Sequence, residues 1–111
     1  MATTTYKILG QQAPAVTTDV NLLTVAAATE AIASTLIIAN TTATAATARV
    51  FARIAGAAAA TTNAIYYDVS IGGNSSAAFT LGITLAATDV LTVRTSTANA
   101  LTFTLFGTLV A

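Results

Sequence analysis

Catalysis needs a nucleophile with a base, or a set of metal ligands, and this chain is poor in both. Its charged side chains are Lys7, Asp19, Glu30, Arg49, Arg53, Asp68, Asp89 and Arg94, and it has no Cys, His or Trp. Ser and Thr are abundant, but no His or Cys is present to activate them or act in their place. No Ser lies in a Gly-x-Ser-x-Gly elbow, and none has a Lys at Ser-x-x-Lys spacing. Lys7, the single lysine, reads as a solvated residue on an edge strand. Glycosidase chemistry would need two carboxylates facing each other across a substrate. Asp19 and Asp89 instead fall at turns or strand starts, where Asp caps backbone donors, and Glu30 follows Thr29 where a strand begins. No Asp-x-Asp-x-Asp calcium loop is present. Absence of Cys removes disulfides and thiolate zinc sites. Gly72-Gly73-Asn74 is glycine-rich, yet a strand follows it, not the helix that a phosphate cradle requires. The expectation is a protein that is not an enzyme, with no catalytic, cofactor-binding or metal residue and no cofactor.

What remains is contact chemistry. Arg49, Phe51 and Arg53 alternate onto one strand face, with Arg94 as a candidate neighbour. Arg and aromatic residues are enriched at interface centres. Of Tyr66 and Tyr67, one is expected to pack inward and the other to serve as an anchor. The candidate protein interface is therefore Arg49, Phe51, Arg53, Tyr66 and Arg94. The competing reading is a plain solvent face whose arginines pair with Asp68 or Asp89. The Thr-x-Thr triplets at 42–44, 95–97 and 102–104 are unevenly spaced, which argues against an ice-binding solenoid.

The elements that carry these residues read as strands. Apolar alternation marks 5–9, 22–25, 31–39, 47–55, 65–70, 77–85, 90–95 and 101–110. In 31–39, Ile32, Ser34, Leu36 and Ile38 share a phase against Thr35 and Ile37. In 47–55, Val50, Ala52 and Ile54 oppose the Arg49–Phe51–Arg53 stripe. Phe79, Leu81, Ile83 and Leu85 share a face of the sixth strand; Leu101, Phe103, Leu105 and Leu109 share one of the eighth. Gly72-Gly73-Asn74-Ser75 is the plainest turn. The alanines at 57–60 are too few to nucleate a helix and read as loop. Seven or eight short antiparallel strands predict an all-β sandwich of jelly-roll or Greek-key type. It forms a single domain over 1–111, with 1–20 a candidate extended arm.

Composition bounds the rest. The chain has 111 residues, zero formal net charge and only 7% charged residues, and nearly half of it is Ala or Thr. High hydrophobicity with low charge is the opposite of a disordered chain. Small Ala side chains bury little area each, so the core is thin and the weakly charged surface points to self-assembly. Neutral charge argues against nucleic acid as a partner. No secretory signal begins the chain and no run of eighteen apolar residues occurs, so no membrane partner is expected.

Some local strings carry a resemblance. Thr5-Tyr6-Lys7-Ile8-Leu9-Gly10-Gln11 with Ala13-Pro14 resembles the start of small virion structural proteins of tailed phages, especially cyanophages. So do Leu23-Thr24-Val25, Ala27-Ala28-Thr29, Ser34-Thr35-Leu36 and the stretch from Leu81 to Val90. The chain departs from that pattern at Leu23, where Tyr is expected, and at Ala26, where Pro is usual. The resemblance implies a capsid cement or decoration protein, assembled into the virion in the host cytoplasm. It implies homo-oligomers, trimers being common, in contact with the major capsid protein or other virion proteins. A tail, neck or fibre accessory protein is the alternative, and a glycan-binding attachment module is another. The resemblance supplies no site residues.

Overall fold

The computed structural model describes residues 3–111. Eight strands follow in order: β1 Thr4–Gln12, β2 Val20–Thr24, β3 Glu30–Asn40, β4 Ala46–Arg53, β5 Ala64–Ile71, β6 Ser76–Leu85, β7 Val90–Thr95 and β8 Leu101–Val110. They form two four-stranded antiparallel sheets, β1-β8-β3-β6 (sheet I) and β2-β7-β4-β5 (sheet II). Every connection crosses between sheets except β4 to β5. That winding is the jelly roll, one of the two sandwich types that the strand count and turn spacing leave open. Residues 4–12 of the segment read as an arm are strand β1, paired with β8. The pairing continues past the strand ends: Thr3 N donates to Ala111 O at 2.6 Å and Ala111 N to Thr3 O at 2.9 Å. Met1 and Ala2 lie outside the described residues.

A line of bulges crosses sheet I. Leu9 is the extra residue of β1, between the pairs Ile8–Phe106 and Gly10–Leu105. Ser34 is the extra residue of β3, between Ala33–Gly107 and Thr35–Phe106. On the other side of β3, Leu81 and Gly82 of β6 face the same Ser34. The β3 bulge meets β8 at Phe106–Gly107 and the β1 bulge one residue along, at Leu105–Phe106, while the β6 irregularity faces the β3 bulge from the other side. Ser34 Oγ donates to the Phe106 carbonyl at 3.1 Å. The backbones crowd here. A Cβ on Gly107 would strike the Ile32 carbonyl oxygen and come within 2.9 Å of Leu9 Cδ1.

The bulge corrects one expectation from the sequence. Ile32 and Ser34 do not share a face with Leu36 and Ile38. Ala31 and Ala33 point inward before the bulge, Leu36 and Ile38 after it, and Ile32 is 41% exposed. One inserted residue reverses the phase of a period-two strand. A second correction falls at the end of β4. The strand stops at Arg53 because Ala55 adopts φ 49° inside a 3-10 turn, Ile54–Gly56, and Ile54 lies 79% exposed. In the turn after β5, Asn74 is the residue with positive φ (52°).

The core joins the inner faces of both sheets, with Phe103, Leu36, Ile38, Ile71, Leu91 and Leu101 fully buried. Ala31, Ala33, Ala46, Ala48 and Ala100 fill the narrow places between them. The accessible surface is 5637 Å², close to the roughly 5,700 Å² that surface scaling gives for a compact monomer of this mass. The thin core is therefore closed. The chain's apolar excess lies on particular outer faces.

One buried polar residue ties the end of the sandwich together. Asn40, 4% exposed, donates through Nδ2 to Thr44 O (2.9 Å) and Ile71 O (3.1 Å). Its Oδ1 accepts from Thr42 N (2.9 Å) and Thr42 Oγ1 (2.7 Å). Its backbone N–H reaches Ser75 O at 2.8 Å. Buried amides persist where both ends are satisfied, and here both are.

Candidate functional site

The outer face of sheet II collects most of the charge. Strands β4 and β7 pair so that Arg49 sits directly opposite Arg94. Like charges in that register repel. Two carboxylates offset this: Asp68 receives Arg49 Nε at 2.7 Å and Nη2 at 3.3 Å, and Asp19 lies 4.0 Å from Arg94 Nη1. Arg94 Nε also donates to Thr17 O at 2.9 Å. The Arg49 guanidinium stands 4.0 Å from the centre of the Tyr67 ring, and Tyr67 meets Phe51 edge-on at 6.5 Å. A shallow depression of about 510 Å³ opens between Arg49, Asp68, Arg94 and Thr17.

The five sequence candidates do not form one patch. Arg49, Arg94 and Phe51 come together, and the tyrosine beside them is Tyr67. Tyr66 points the other way, into the sandwich, with its ring 4.8 Å from Phe79. Arg53 clamps the turn after β4. Its Nε donates to Ala57 O (2.6 Å), Nη2 to Gly56 O (2.9 Å), and Nη1 to Asn21 Oδ1 and Thr92 Oγ1 (both 3.1 Å). Phe51 is only 4% exposed. Asp89 is also occupied, accepting from Ala55 N and Ala86 N at 2.9 Å each. Among the described residues no three of His, Cys, Asp and Glu gather as a metal site.

The hydrogen bond from Arg49 holds the Asp68 carboxyl below the usual carboxylate range, and the same bond raises the Arg49 guanidinium. A depressed acid stabilises the fold above its unfolded pKa, about 3.9, and that contribution fades as pH falls through the folded value. Asp68→Asn should therefore melt lower than wild type at pH 7. The gap should close at pH well below about 4 and shrink in high salt. Thermal melts across that range check it; a gap independent of pH would refute the pairing.

The alternation and the bulge line put a different character on the outer face of sheet I. Tyr6 (82% exposed), Ile8 (47%) and Ile32 (41%) gather there with half-buried Phe106. Tyr6 pairs across to Thr108, Thr108 to Ile32 and Ile32 to Thr84, one row spanning all four strands. A hollow of about 580 Å³ lies along the bulge line, lined by Tyr6, Lys7, Ile8, Ser34 and Phe106 among others.

The chain matches no family model and no curated protein. Among solved structures it aligns with a chain in the structure of infectious bursal disease virus, Gx strain. The alignment covers 99% of this chain and 32% of the viral one, at 15% identity and a TM-score of 0.50. The likeness is one of fold. A chain in the Gt strain structure aligns over 99% of this protein and 28% of its own length, at 9% identity and a TM-score of 0.43. The protein thus spans less than a third of the viral chains it matches.

Sequence reading missed the sheet I face because it placed Ile32 in the core phase and left Tyr6 and Ile8 unassigned. The usable signal is negative. The sheet I strands hold only two charged residues, Lys7 and Glu30, both exposed and of opposite sign.

Proposed function

We propose that the protein is a structural component of a virus particle, specifically a cement or decoration protein of a tailed-phage capsid. The observation that carries this reading is the two-sheet sandwich β1-β8-β3-β6 over β2-β7-β4-β5, which aligns along 99% of its length with part of a chain of a virus structure. Jelly rolls of this kind recur in capsids, although lectin domains and cupins use them too. The side chains support a role by contact: each arginine and Asp68 is engaged in structural pairing, and among the described residues no Ser or Thr hydroxyl is hydrogen-bonded to a carboxylate. As a cement the protein would sit over junctions between shell subunits, grouped with copies of itself. Binding the assembled state alone stabilises a shell by mass action.

Mass spectrometry and cryo-electron microscopy of purified particles test the proposal. The expected result is the chain in large copy number over the capsid surface; its absence from mature particles would overturn it. A few copies confined to the tail, neck or fibre would replace cement by the accessory reading. Selective binding on a glycan array, with no place in the shell, would favour the attachment module.

A further inference from the structure

We infer that the outer face of sheet I is a self-docking surface, on which two copies of this chain pack sheet against sheet about a two-fold axis. The inference stands on the face itself and does not depend on the particle role proposed above.

Charge selects the occupant. The outer face of sheet II is lined with paired arginines and aspartates, whereas sheet I carries only Glu30, at the margin of the face, and exposed Lys7, which lines the hollow on edge strand β1. A face with one charge of each sign, and so no net charge, neither repels its own copy nor calls for a strongly charged partner. Its side chains are instead β-branched or aromatic: the Tyr6–Thr108–Ile32–Thr84 row, with Ile8 and Phe106 beside it. Residues of this kind interdigitate when sheets stack about 10 Å apart and within roughly 30° of parallel.

The area is sufficient. Four strands spaced about 4.8 Å apart, at about 3.3 Å per residue along ten residues, give a footprint of roughly 600 Å² per copy. A pair would cover about 1,200 Å², the lower bound for stable specific interfaces. The relief matches as well. Tyr6 projects at 82% exposure, and the hollow of about 580 Å³ along the bulge line gives a facing ring a place to enter. Both members of a two-fold pair use the same patch. The geometry therefore favours a closed pair over the threefold grouping that the resemblance implies.

Sedimentation equilibrium of the purified chain, across a wide concentration range, tests the inference. The wild type should approach twice 11.1 kDa. Ile32→Lys and Tyr6→Ser should each weaken the pair about tenfold or more. Ser70→Lys, on the exposed side of sheet II, should leave it unchanged. Tyr6 is too exposed for its loss to unfold the chain, and circular dichroism confirms the fold of each variant. A monomer at every concentration, a trimer, or a pair indifferent to both sheet I substitutions would overturn the inference. So would a lone monomer whose Tyr6 and Ile32 become protected from hydrogen exchange only on a particle.

Discussion

Gly107→Ala should lower the stability of the protein by about 3 kcal/mol or more, the upper end of what overpacking costs. The added methyl meets the Ile32 carbonyl oxygen and, at 2.9 Å, Leu9 Cδ1. The first obstacle is backbone in the central β3–β8 pair, so no rotamer change removes it. Relief requires those strands to part at the level where the bulges of β1, β3 and β6 converge. Gly82→Ala is the control. Gly82 also lies in the bulge region, at φ +60°, but nothing stands within 4 Å of its added Cβ. Its substitution should incur only left-handed backbone strain, about 1–2 kcal/mol. Denaturant unfolding separates the two, with a lower midpoint and an unchanged slope for Gly107→Ala. Equal losses would mean that crowding at the bulge line contributes nothing.

Asn40→Asp should be nearly as damaging, about 3–5 kcal/mol near neutral pH, because it buries a charge without a cation. The NH₂ group that donates to Thr44 O and Ile71 O becomes an oxygen facing two carbonyls at 2.9 and 3.1 Å. Repulsion and burial would raise the new acid's pKa above its unfolded value. The sign then runs opposite to Asp68: the variant is most stable at low pH, and it weakens as pH rises through the raised pKa. Asn40→Ala takes the side-chain donor from Ile71 O and leaves Thr44 O only its bond from Thr42 Oγ1 (3.0 Å), a loss of about 1–3 kcal/mol with no added pH slope. Urea midpoints for both variants at pH 4 and pH 7 give the comparison. An Asn40→Asp protein as stable at pH 7 as at pH 4 would show that the site admits water. Either loss is large against total stabilities of about 5–15 kcal/mol.

The strands were legible because period-two patterning and turn chemistry agree along most of the chain. All eight expected segments overlap strands, and β7 and β8 coincide with them from end to end. What stayed hidden depends on partners far away in sequence. Ser34 carries no local mark of a bulge; its role comes from Phe106, 72 residues on. Missing that single residue reversed Ile32 and concealed the apolar face. Asn40 lies just past the third expected strand with no local sign of burial, because its partners at Thr44, Ile71 and Ser75 converge only through the fold. The arginine stripe was correct as alternation. Alternation could not show that Arg53 folds back on Gly56 and Ala57, or that Tyr67 rather than Tyr66 shares the outer side.

The reciprocal hydrogen bonds between Thr3 and Ala111 have a consequence for how this unit can be joined to others. Thr3 and Ala111 lie one strand spacing apart, about 5 Å, which is the end-to-end geometry that an inserted module needs. Spliced into a surface loop of a host protein, it leaves the host's flanking residues where they were. A circular permutant that links the two positions through a short loop, and opens the chain at Gly72–Ser75, would keep every strand pair intact.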